Sequence, residues 1–438
     1  MNRIHLAALA LCAASIAPAF AQPPVPKPPA VPTAPEPASS AKLSPAAAAK
    51  AKELKSKAIA FLRSKQDAAT GAWGVKDGVA PFPGYTGLVL TGFAMESPTG
   101  KLSPAEIAKD KELSAALAYL IKTQMPDGGI YNKMLPSYNT AICLSALAHF
   151  DTPESKSAIA KGLPFLKSLQ YSESAVSVEG LPDTAAPVDK SNAFYGGWGY
   201  GRSGRPDLSN TQWAMDALVD CGVPSDDPAF QRALVFVKRC QMAESVNDQP
   251  YAKGSKQGGF IYATSESKDK VGSGQSQIGT IEETLDDGTK VSRLRCYGSM
   301  TYAGFKGLLY AGLKKDDPEV KLAFEWIQKN YSVAENPGAG TDGLYYYYVT
   351  FARALAASGV DIIPPAPLAL PATPPDPSKP PSIPQPPMPH NWREDLIARL
   401  AELQEPDGSF KPFKDRWLET DPVLITAYSL VALQHAVK

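Results

Sequence analysis

The stretch Gly196–Leu218, GGWGYGRSGRPDLSNTQWAMDAL, decides the fold. Five glycines surround Trp198 and Tyr200, two arginines and a proline follow, and the segment then takes up helical apolar spacing. The same order recurs along the chain. An aromatic, an aliphatic, three residues and a glutamine appear as Phe61/Gln66, Tyr119/Gln124, Phe165/Gln170 and Phe236/Gln241. A glycine-aromatic element follows each glutamine, at Gly71-Ala72-Trp73, Gly128-Gly129-Ile130-Tyr131, Gly196-Gly197-Trp198 and Gly258-Gly259-Phe260. A fifth copy keeps the aromatic as Trp326 but has Tyr331 at the glutamine position. A sixth has Arg399 at the aromatic position and keeps Gln404 and Gly408-Ser409-Phe410. A second helix with three-to-four apolar spacing follows every copy, beginning near Tyr85, Tyr138, Ser209, Tyr297, Leu344 and Val423. Gly-Gly-Trp is therefore one copy of a repeat, and repetition at such a period means stacked helical hairpins.

The repeat resembles the QW-like, or prenyltransferase/squalene-cyclase, repeat family, from about Ala48 to the end of the chain. The resemblance implies an all-α fold, an α/α toroid (α6/α6 barrel) of six helical hairpin repeats around a central cavity. Three chemistries of that superfamily leave signatures that can be checked. The Asp-x-Asp-Asp acid of squalene-hopene-type cyclases is missing, because Asp226-Asp227, Asp286-Asp287 and Asp316-Asp317 lack the earlier aspartate. The zinc site of protein prenyltransferases is missing too. Cys296 resembles its cysteine, but Leu294 stands at the aspartate position and tyrosines stand where the histidine belongs. The Cys-Gly-Glu-Gln of thioester domains is also absent.

Composition sets the remaining limits. The 438 residues carry 44 basic and 44 acidic side chains, a balance that gives nucleic acid nothing to bind. Residues 1–21 read as a signal peptide: Arg3, an apolar run from Leu6 to Phe20, and Ala19-Phe20-Ala21. Leu11 before Cys12 argues against a lipoprotein signal. The chain is thus expected to be exported, periplasmic or secreted, with no membrane span in the mature part. A Pro/Ala-rich linker is expected over 22–47, five helix pairs over 48–363, a Pro-rich linker over 364–389, and the closing sixth pair over 390–438. Neither a cofactor nor a metal is implied. Cys240 and Cys296 end one helix and precede the next, which makes them the candidate disulfide in an oxidising compartment.

Long connections, Tyr171 to Pro206 and Ala243 to Arg295, fall at one end of such a ring, where all inner helices begin. Helix N-termini converging there favour an anionic or strongly polar ligand. The candidate ligand-binding residues at this mouth are Arg202, Arg205, Asp207, Asn210, Gln212, Tyr138, Asn139, Tyr346 and Tyr347. The insert Thr264–Arg293 reads as a hairpin or lid over the mouth, or as a solvated loop. With the known catalytic groups absent, the leading expectation is a cell-envelope binding or scaffold protein for a small molecule, lipid, glycan or protein partner. The alternative is an exported enzyme using the cavity. As a polysaccharide lyase it would pair Arg202, Arg205 and Asp207 with Tyr346 and Tyr347; its other form is isoprenoid- or lipid-modifying.

Overall fold

The computed structural model describes residues 43–74, 82–174, 187–201, 205–264, 276–366, 388–414 and 416–438. The expected signal peptide, most of the first linker and most of the second fall outside these residues. One boundary moves. Helix α1 (Pro45–Ser64) begins inside the expected linker, with proline in its first turn and the Ser44 hydroxyl accepting from the Ala47 amide at 3.2 Å.

Six outer helices alternate with six inner ones. The outer set is α1, α4 (Lys111–Lys122), α6 (Pro153–Ser168), α8 (Pro228–Cys240), α10 (Pro318–Lys329) and α12 (Trp392–Leu403). The inner set is α2 (Pro83–Ala94), α5 (Pro136–Leu147), α7 (Leu208–Asp220), α9 (Gly298–Tyr310), α11 (Leu344–Ser358) and α13 (Pro422–Val437). A short α3 (Pro104–Ile107) lies between the first two pairs. Inner helices are apolar on nearly every face because they pack on both neighbours and on outer helices; outer helices keep a polar side. Each inner helix packs on the next in chain order, and α13 packs on both α11 and α2. The all-α toroid is therefore closed.

The repeat signature is the clasp that closes it. Gln66, Gln124, Gln170, Gln241 and Gln404 each donate through Nε2 to two carbonyls. One belongs to the glycine of the same repeat and the other to the next outer helix, as in Gln170 to Gly196 and Ala229, both 2.9 Å. Gln404 makes its outer bond to Leu54 of α1, 2.9 Å, joining last repeat to first. Tyr331 performs the same task in the fifth repeat, donating to Asp395 of α12 at 2.7 Å. The glycine beside each glutamine has positive φ and almost no room. A Cβ on Gly196 would lie 1.9 Å from the Arg232 carbonyl oxygen, and one on Gly408 would lie 2.3 Å from that of Lys57. The aromatic packs back on the glutamine-bearing helix, with Trp198 Nε1 donating to the Leu166 carbonyl at 2.8 Å.

Two short antiparallel pairs complete the fold. Strands β1 (Thr280–Thr284) and β2 (Lys290–Leu294) show that the insert is a hairpin, while residues 265–275 of it lie outside the described residues. Strands β3 (Ile362–Ile363) and β4 (His390–Asn391) pair across the second linker and fix both of its ends. The expected disulfide is not formed, since Cys240 and Cys296 are both free and buried. Cys296 instead packs against the turn at Gly259, where an added Cβ would sit 2.8 Å from its own.

Candidate functional site

Where the inner helices begin, the ring encloses a cavity of about 200 Å³. Seven tyrosines line it: Tyr85, Tyr138, Tyr200, Tyr262, Tyr297, Tyr346 and Tyr428, together with Phe82, Leu88, Met300, Leu424 and the side chains of Asn139, Ser209 and Ser299. Leu135, Trp417 and Leu418 line it from loops; all three have positive φ, and Trp417 and Leu418 remain 43% and 51% exposed. None of the described lining residues carries a formal charge.

Among the described residues no anion site is assembled at this mouth, and helix capping is the reason at five of the six inner helices. Amides at the N-termini of α2, α7, α9, α11 and α13 already have acceptors. Asp207 accepts from Asn210 N at 2.8 Å, Glu419 from Tyr346 N at 2.7 Å and Asp421 from Val423 N at 2.9 Å. Asn139 Oδ1 accepts from Gly84 N at 3.0 Å, and Asn336 Oδ1 from Ser299 N at 2.9 Å. Thr86, Thr140, Thr211 and Thr301 are structural as well, each hydroxyl accepting from the backbone of the preceding glycine-aromatic turn.

Of the candidate residues, Tyr138, Asn139 and Tyr346 line the cavity. Gln212 lies behind Tyr346 and donates to its hydroxyl. Asp207 and Asn210 form the α7 cap behind the wall, with Asn210 Nδ2 donating to Asp207 Oδ2 at 2.8 Å. Arg205 stacks over the ring of Tyr262, 5.8 Å from its centroid, and Arg202 lies outside the described residues. Tyr347 turns away: its hydroxyl donates to the Ser332 carbonyl at 2.6 Å, and its ring packs on Tyr302 and Phe351. Among the described residues the arginine-tyrosine set of a lyase is therefore not brought together. None of the hairpin's described residues lines the cavity.

Several functional residues carried no expectation. Tyr200 and Tyr262 hold equivalent places, each two residues beyond the turn aromatic of its repeat (Trp198, Phe260), and that spacing is the signal that would have found them. Their hydroxyls meet at 3.5 Å. Tyr262 also bonds the Asp207 carboxyl, whose burial pushes it up to about 6 against the pull of the Asn210 donors. Burial likewise raises Glu419 to about 7 despite its backbone donors, and the Tyr138 phenol to about 12. The phenols of the cavity are thus neutral hydrogen-bond donors at ordinary pH.

Beneath the cavity the axis holds a buried ionic cluster. Lys306 of α9 donates to Gln212 Oε1 at 2.9 Å and Asp216 Oδ2 at 2.7 Å, while Arg353 of α11 pairs with Asp216 at 2.9 Å and Asp220 at 2.8 Å. Inner-helix C-termini end at this side of the ring, and their carbonyl dipoles suit two cations.

No family model matches the chain, and no curated protein matches it. Among solved structures, the chain is similar to a type II terpene cyclase. The structure of MstE from Scytonema with its product merosterolic acid A has 14% identity and a TM-score of 0.46, covering 90% of this chain and 99% of that one. That with its substrate geranylgeranyl dihydroxybenzoate has 13% identity and a TM-score of 0.45 over the same shares. The ligand-free form has 12% identity and a TM-score of 0.43, over 88% and 98%. The expectation of a non-catalytic envelope scaffold is corrected here: the proteins with this architecture that the chain is similar to are enzyme structures holding substrate and product. Among the described residues no helix is long and apolar enough to cross a membrane, and no cluster of histidine, cysteine and carboxylate could hold a metal ion.

Proposed function

We propose that the protein is an enzyme that takes an apolar, isoprenoid-like substrate into the toroid cavity and reacts it among the tyrosines. The observation that carries this reading is the lining itself, aromatic and aliphatic with no formal charge among its described residues. Such a surface desolvates a hydrocarbon chain favourably and offers π-faces to positive charge developing along it. A uronate would find no cation among the described residues of that wall. Asp207 is the candidate acid, protonated to a substantial degree near pH 6 and connected to the cavity through the Tyr262 and Tyr200 hydroxyls. The glutamine clasp and glycine-aromatic turn support the finer assignment to QW-like repeats. The apolar leader and Ala19-Phe20-Ala21 support export, which N-terminal sequencing of the natural protein would check.

The test is turnover. Purified protein incubated with linear isoprenoids from farnesol to squalene should yield cyclised isomers detectable by gas chromatography and mass spectrometry. Asp207→Asn keeps an oxygen for the α7 cap, so it should retain binding and lose at least about 100-fold in rate, the scale of one general acid. Unchanged turnover in that variant would remove Asp207 from the reaction, and the absence of any product from every isoprenoid would sink the enzymatic reading.

A further inference from the structure

The ionic cluster under the cavity has a consequence for the ligand that follows from the polarity of hydrogen bonds alone. The Lys306 ammonium has hydrogens to give and no lone pair to receive with, so the Gln212 atom 2.9 Å away is the amide oxygen. The other end of the same amide must then be NH2, and it donates to the Tyr346 hydroxyl oxygen and to Thr350 Oγ1 at 3.3 Å. With its oxygen receiving from Gln212, Tyr346 spends its own hydrogen on Ser209 Oγ, 2.9 Å away. Ser209 lines the cavity, and its hydroxyl hydrogen has no acceptor among the described residues. The chain Lys306–Gln212–Tyr346–Ser209 thus runs in one direction and ends in a donor facing the cavity. A second spare donor lies on the same floor: Tyr138 and Tyr428 hydroxyls are 3.1 Å apart, and a pair sharing one bond leaves one hydrogen unspent.

We propose that the cavity floor recognises a neutral oxygen acceptor on the substrate, a carbonyl, ether or alcohol oxygen, through Ser209 and the Tyr138/Tyr428 pair, with Lys306 and Gln212 as positioning residues that fix the direction of donation. This deepens the proposed function and rests on it. A carboxylate or phosphate fits poorly, since among the described residues no cation lines the floor to repay its desolvation. The ligand class is therefore an isoprenoid or similar chain carrying one neutral oxygen function.

The experiment compares two probes by calorimetric titration: geranylacetone, an acceptor-only ketone, and the hydrocarbon of the same skeleton. One good hydrogen bond should favour the ketone about tenfold in the unmodified protein. Ser209→Ala should lower the ratio of the two affinities severalfold, leaving the share that the Tyr138/Tyr428 pair supplies. Gln212→Glu is the sharper test, because a carboxylate only accepts. It would draw the Tyr346 hydrogen to itself, turn the Ser209 hydrogen toward Tyr346 and lower the ratio as Ser209→Ala does, without changing side-chain size. A loss that came only from loosened packing would weaken both probes alike and leave the ratio standing. A ratio of one in the unmodified protein with the hydrocarbon still bound overturns the inference and leaves the apolar-cavity reading intact, as does a ratio unchanged by both substitutions. Binding of neither probe overturns that reading and the inference with it.

Discussion

Gln404 and Tyr331 show how one side chain can carry a fold. The glutamine amide bridges the carbonyl of its own turn to a carbonyl in the neighbouring outer helix, so two buried acceptors depend on one NH2 group. Where the fifth repeat lacks glutamine, a tyrosine reaches farther and finds a carboxylate instead of a carbonyl. Gln404→Leu should lower stability by about 1–3 kcal/mol, the cost of leaving buried carbonyls unpaired. Denaturant unfolding would measure it, and an unaltered midpoint would show that water replaces the amide. The residue scale is also where sequence reading reached its limit. Tyr345 to Tyr348 are four consecutive tyrosines, and only the helical phase, about 100° per residue, decides that Tyr346 faces the axis and Tyr347 the wall behind it. Nothing in the residues themselves sets that phase.

At the scale of elements, the helix pairs were legible because the clasp is local: glutamine, glycine and aromatic lie within a dozen residues and repeat. The cavity was not, because its hydroxyls come from all six inner helices and from the turns before α7 and α9, and the carboxylates at the mouth, the expected Asp207 among them, are spent on helix amides. Glu419 is the clearest case, a residue of the sixth repeat that caps α11 in the fifth. Its burial makes the cap sensitive to pH. The folded chain holds the Glu419 proton up to about pH 7, whereas an exposed glutamate releases it near 4.5. Between those values Glu419 makes the folded state bind more protons than the unfolded one, so its contribution to stability falls as pH rises, with Asp207 adding a shift of the same sign up to about 6. His149 and His435, held by burial below the ordinary imidazole range, act in the opposite sense below about 6.5, so the check is a difference: Glu419→Gln should make the slope of melting temperature against pH more positive between 4.5 and 7 than in the unmodified protein. An equal slope in the variant would place the titrating group elsewhere.

For the whole molecule, the sixth bond from Gln404 to Leu54 means that the ring has no structural beginning. Ser44 N donates to Glu394 at 2.7 Å, and Arg393 donates to the His435 carbonyl at 2.9 Å, so both chain ends of the described ring meet the start of α12. Where the polypeptide is interrupted is then a matter of translation, not of architecture. A circular permutant that opens at His390 and joins Lys438 to Leu43 by a short flexible linker should fold to the same toroid with the same cavity, read by an unchanged far-ultraviolet spectrum and a cooperative melt; a molten or aggregated product would show that the order of synthesis matters. Six equivalent joints also make the toroid a ring in the mechanical sense. A strain introduced at any one joint is shared by the other five, and a substrate large enough to spread the inner helices would load every clasp at once.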